Sequence, residues 1–158
     1  MAAETLTGSR AANTFPVFKA LGAGLMCVAY GTYEIGAAVE AGDVFEMCKL
    51  PPGATVVGGW FLGDDIDTGA TETLDMDLGW AANGAEAADP DGLGNFGTLT
   101  GDAFAAGSVS IAAGLAYPIL PTNLPSFTKE TTVQLEVNTA SAGGHTGTVT
   151  VIVYYVAD

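Results

Sequence analysis

Apolar and polar residues alternate with a period of two over two stretches of this chain, and that period belongs to β-strands. From Glu72 to Leu78, the side chains of Leu74, Met76 and Leu78 face one way, and those of Thr73, Asp75 and Asp77 face the other. From Thr132 to Asn138, Val133, Leu135 and Val137 oppose Thr132, Gln134, Glu136 and Asn138. Each reads as a strand with one buried and one wet face. Two other stretches are apolar on both faces. Ala54 to Leu62 is rich in β-branched and aromatic residues, with much of both faces buried. Thr148 to Val156, TVTVIVYYV, has the pattern of a central strand, or of one covered by a neighbouring subunit.

The rest of the chain fits between these four segments. Leu25 to Ile35 has strand composition, interrupted at Gly31; Ala41-Gly42-Asp43 turns the chain, and Val44 to Leu50 is the next strand. Pro51-Pro52-Gly53 breaks it, and Gly63 to Thr71 is an acidic turn. Ala81 to Thr100 reads as a long loop around the turn signal Asp89-Pro90-Asp91-Gly92. One short helical turn is expected within Leu99 to Ala106, then short strands at Ser108 to Ala112 and Ala116 to Leu120. Pro118, Pro121 and Pro125 place this last part at a sheet edge or outside the sheet. About eight short strands with turn signals between them predict an all-β chain: an antiparallel β-sandwich, of which the jelly roll is one form. Residues 25–158 make this body. Residues 1–24 are small and polar around one apolar cluster, Phe15-Pro16-Val17-Phe18, and read as an extended N-terminal arm.

Charge narrows the choice of partners. Four Lys and Arg stand against 18 Asp and Glu, a formal net charge of −14. Too few cations exist to neutralise phosphates, which argues against nucleic acid and against anionic membranes. No stretch of about twenty apolar residues predicts a membrane span, and the N-terminus lacks a signal-peptide profile, so assembly in a cytoplasm is expected. Cys27 and Cys48 lie among apolar neighbours and read as free, packed thiols; a disulfide between adjacent strands is the alternative.

Candidate chemistry is sparse. Asp89, Asp91 and Asn95 in DPDGLGN have the flavour of a calcium loop, but Leu93 and Thr100 stand where an EF-hand needs ligands. Asp64, Asp65 and Asp67 could gather a cation with Asp75 or Asp77; a solvated turn is the simpler reading. His145, the only histidine, sits in a glycine loop with no nucleophile beside it. Trp60 is expected in the core, and Trp80, ending a strand, on a contact surface. No phosphate loop, zinc spacing or nucleophile elbow is present, so neither an enzyme nor a cofactor is expected.

The run Leu50-Pro51-Pro52-Gly53-Ala54-Thr55-Val56-Val57, then Asp67-Thr68-Gly69-Ala70-Thr71, then Thr73-Leu74-Asp75-Met76-Asp77-Leu78-Gly79, resembles a pattern in small structural proteins of tailed bacteriophages. Gly101-Asp102-Ala103-Phe104-Ala105-Ala106-Gly107 and the closing Gly-Thr-Val-Thr-Val-Ile-Val-Tyr-Tyr strand fit the same pattern. The resemblance covers about residues 43–157. It implies a capsid decoration (cement) protein on the virion surface that binds the major capsid protein, often as an oligomer, without catalytic residues. A carbohydrate-binding or adhesin module of a head or tail fibre is the alternative.

Two expectations come from the residues themselves. The last strand and the Ala/Gly-rich loop carry more apolar surface than a lone sandwich covers, which predicts a homo-oligomer, a trimer by preference. The arm is expected to dock on a neighbouring chain through Phe15, Pro16, Val17 and Phe18, with Arg10 and Lys19 meeting acidic surface. Trp80 completes this interface set.

Overall fold

A computed structural model describes residues 24–67, 71–98, 109–111, 114–143 and 146–157. Nine strands are found among them: β1 Met26–Ile35, β2 Val44–Leu50, β3 Ala54–Gly63, β4 Asp75–Trp80, β5 Asp89–Thr98, β6 Val109–Ile111, β7 Gly114–Ile119, β8 Thr131–Thr139 and β9 Gly147–Ala157. They form two antiparallel sheets, in the orders β1-β9-β3-β7-β6 and β2-β8-β4-β5.

The order has a simple origin. β1 pairs with β9, β2 with β8, β3 with β7 and β4 with β5. The chain therefore behaves as one long hairpin whose successive strand pairs fall alternately into the two sheets. That is the jelly-roll form of the sandwich. Both faces that meet are apolar. Val133, Leu135 and Val137 of β8 and Leu74, Met76 and Leu78 at β4 pack against Val149, Val151 and Val153 of β9 and Phe61 of β3. The two alternating stretches thus turn the expected face inward.

β9 is central, between β1 and β3, as its composition predicts. β1 is not interrupted at Gly31, which stays in register opposite Val151. The glycine is there for the other sheet: a Cβ at position 31 would collide with the Met47 carbonyl of β2. The backbones of β1 and β2, in opposite sheets, approach each other closely at this point.

Two expectations need correction. The stretch expected as a loop from Ala81 is a loop only as far as Ala88, because β5 follows and pairs with β4. Its pairing shifts register twice, between Asp75 and Asp77 and between Leu78 and Trp80. Pro90 is tolerated because β5 is an edge strand. Trp60 does not enter the core. Its neighbour Phe61 does, so the period of two turns Trp60 outward, where it is half-exposed. Pro118 lies in β7 beyond the last residue paired with β6, which satisfies the edge rule. The helical turn expected within Leu99–Ala106 falls outside the described residues, as does His145.

Candidate functional surface

The acidic turn gathers Asp64, Asp65 and Asp67. Its buried member, Asp67, is only 2% exposed. Its carboxylate accepts the amides of Thr73 at 2.7 Å, Leu74 at 3.0 Å, Ala142 at 3.1 Å and Gly143 at 2.9 Å. Burial alone would raise this carboxyl, but these four amides outweigh it and hold the pKa at about 2. Asp64 accepts the amide of Thr148 at 2.8 Å. The turn is a backbone clamp that ties β3, the approach to β4 and the β8–β9 connection together. Among the described residues, no group of three His, Cys, Asp or Glu side chains is placed to hold a metal ion.

Asp77 departs from the wet face expected for it. It is 6% exposed, with Glu136 of β8 and Asn95 of β5 opposite it in the two ladders. Oδ2 accepts the Asn138 amide at 2.6 Å, while Oδ1 has no hydrogen-bond partner among the described residues. Its pKa is raised by burial, which outweighs the Asn138 hydrogen bond, and by the negative charges of Asp75, Asp91 and Glu136. Asp89 is also raised, by burial and by Asp91. The outer face of the four-stranded sheet is thus acidic, with carboxylates close enough to repel.

The loop 81–88 is fastened rather than free. Glu86 accepts the Thr128 amide at 3.0 Å, the Thr128 hydroxyl at 2.7 Å and the Asn83 amide group at 2.5 Å. Trp80 belongs to this arrangement. Its indole N–H donates to the Ala87 carbonyl at 2.9 Å, and its ring meets Phe127 edge-on at 5.1 Å. It is half-buried against the core, so its ring is not a free stacking platform. The other residues of the expected interface, Arg10, Phe15, Pro16, Val17, Phe18 and Lys19, lie outside the described residues.

Open clefts lie at two places among the described residues. One of about 390 Å3 runs between Asp91–Phe96 and Tyr117–Thr122. Its rings, Phe96 and Tyr117, meet each other tilted at 5.1 Å and stack on Phe61 at 5.3 and 6.0 Å, so their faces are turned to one another. The other, about 400 Å3, lies beside Tyr33, Glu34 and Asp43. There Tyr33 packs on Phe45 at 4.9 Å, Glu34 accepts the Thr148 hydroxyl, and Asp43 accepts the Glu40 amide. The two cysteines are free and half-buried; they lie on β1 and β2, in different sheets, which removes the adjacent-strand disulfide.

The excess apolar face expected of the last strand is part of a wider surface, the outer face of the five-stranded sheet, whose contributions from β1 and β3 the sequence did not reveal. Tyr30, Ile152, Trp60 and Pro118 stand opposite one another in a single row across β1, β9, β3 and β7. The next row on this face joins Val28 and Tyr154. Exposure is high at the β1 edge: 66% at Met26, 53% at Val28 and 72% at Tyr30. The signal was present in TVTVIVYYV, whose second apolar face covers nothing within the sandwich.

No family model matches the chain, and no curated protein matches it. Solved structures do. A chain of the cyanophage Pam1 capsid asymmetric unit matches with a TM-score of 0.69 and 24% identity, covering 96% of this chain and 98% of that one. A chain of the capsid of Ralstonia phage GP4 matches at 0.64 and 23% identity, covering 90% of each. A chain of the acid-stable capsid of Helicobacter pylori bacteriophage KHP30 matches at 0.53 and 18% identity, covering 86% and 91%. Over nearly its whole length, this jelly roll has the fold of chains found in the capsids of three bacteriophages.

Proposed function

We propose that the chain is a structural component of a phage virion, a capsid decoration (cement) protein seated on the outside of the head. The observation that carries this reading is the whole-length fold match to a phage capsid chain, 96% of this chain against 98% of that one. The chemistry of the body supports it. The acidic groups clamp backbone or repel each other, the clefts carry no reactive constellation, and an extensive apolar face is left outside the core. The role is architectural, with no catalytic step and no cofactor. The partner is the major capsid protein, bound by apolar burial across subunit junctions. The protein acts as a homo-oligomer, a trimer suiting the threefold positions of a shell. It is made in the host cytoplasm and joins the head there.

The test is cosedimentation with expanded heads stripped of accessory proteins. Saturable binding that survives moderate salt is expected, because apolar contacts are screened less than charges. A protein that never sediments with heads under any salt condition overturns the decoration role.

A further inference from the structure

We infer that the outer face of the five-stranded sheet is the surface through which copies of this chain meet one another. The inference rests on the homo-oligomer proposed above and names its contact. Its centre is the row Tyr30, Ile152, Trp60, with Val28, Tyr154 and Met26 continuing it toward the start of β1.

Charge decides the occupant. The chain carries a net charge of −14, so almost any two patches brought together repel. The opposite sheet shows why: its outer face carries Glu46, Asp75, Asp77 and Glu136 against one cation, Lys49, which is already paired with Glu130, and the carboxyl of Asp77 is pushed upward by burial and by the neighbouring carboxylates. Among the described outward residues of β1, β9, β3 and β7, the one charged side chain is Glu34, at the far end of β1. Glu34 is held there by the Thr148 hydroxyl. Two copies that meet through this face therefore bury apolar surface without opposing carboxylates. Contact through any part of the acidic sheet would desolvate like charges, which is costly.

The edge of the sheet points the same way. β1 is ten residues long and has no strand partner on its outer side among the described residues. It contains no proline, no lysine and no bulge in its pairing with β9, the devices that keep exposed edges from associating. An unprotected apolar edge beside an apolar face is a hazard in a monomer and an asset at a closed interface between copies. The arrangement also leaves both acidic sheets turned to solvent.

The experiment compares the full chain with two double variants of equal added charge. One, Val28→Glu with Tyr30→Glu, alters this face; the other, Thr132→Glu with Gln134→Glu, alters the outer face of the four-stranded sheet. Light scattering over a micromolar concentration series reads the mass of each. The parent is expected to be oligomeric. The first variant should weaken association by roughly tenfold or more, as loss of central apolar contacts does, and the second should change it little. A folded Val28/Tyr30 variant that associates like the parent overturns the inference. One that stays oligomeric but no longer sediments with heads also overturns it and assigns the face to the shell. A monomeric parent that still binds heads removes the homo-oligomer and this inference while leaving the decoration role standing. Should the variant fail to fold, hydroxyl-radical footprinting of the parent above and below its dissociation concentration replaces it. Protection of Met26, Tyr30 and Trp60 on association supports the contact, and equal labelling overturns it.

Discussion

Asp67 and Thr73 are joined by a 2.7 Å hydrogen bond from the Thr73 amide to the Asp67 carboxylate, inside a turn that composition alone would describe as solvated. The same carboxylate collects the amides of Leu74, Ala142 and Gly143. Four amides that would otherwise be orphaned by loop geometry share one anion. The connections at this end of the sandwich are thus held by one side chain.

Asp67→Asn is therefore expected to destabilise the protein at neutral pH. Its folded pKa lies at about 2, below the ordinary value of 3.8, so its contribution is complete above about 4 and lost as pH falls toward 2. The shift corresponds to roughly 2 kcal/mol. Urea unfolding should show that deficit at pH 7 and a much smaller one near pH 2. A variant as stable as the parent at pH 7 would remove the clamp from the account.

Asp77→Asn should act in the opposite direction. The folded pKa of Asp77 is raised, so its ionised form is disfavoured in the native state, and stability rises as pH falls through that value. The amide keeps an oxygen for Asn138 and removes the repulsion with Asp75, Asp91 and Glu136. The variant should melt at or above the parent temperature at pH 7, with the advantage fading in acid. A clearly lower melting temperature at pH 7 would show that the carboxylate has a partner the present geometry does not contain.

Gly31→Ala tests the approach of the two sheets. The added Cβ meets the Met47 carbonyl, which is backbone and cannot rotate away. Overpacking of this kind costs about 1–3 kcal/mol. The same substitution at Gly36, where nothing lies within 4 Å, should be nearly neutral, and paired thermal melts compare them.

Burial raises the Cys48 thiol to about 11. At pH 8 only about one part in a thousand is thiolate, and the thiolate is the reactive form. Alkylation of Cys48 by iodoacetamide in the native protein should be slow at pH 8 and accelerate steadily toward pH 11. Fast labelling at pH 8 that matches the urea-unfolded chain would contradict the burial.

How much of this could be read from the chain differs from residue to residue. Val133, Leu135 and Val137 were legible because a ladder with one wet face imposes strict alternation, and no other residue has to be known. β9 was legible as central for a related reason: apolar residues on both faces need cover on both. β5 was not, because an edge strand rich in Gly and Asp is paired on one side only and keeps the composition of a loop. Its inward anchors, Leu93 and Phe96, are too few to show a period.

The sequence by itself determined the all-β class and the inward faces of β4 and β8, because each depends on local composition or on a period of two. Tertiary structure decided what distance along the chain conceals. It turned Trp60 outward and made Asp67 a clamp for amides far along the chain. It also placed Tyr30, Ile152 and Trp60 in one row, although 30, 60 and 152 have no relation in sequence. Hydrogen-bonded registers between β1, β9 and β3 create that surface, and a register is set only when the whole hairpin has folded into its two sheets.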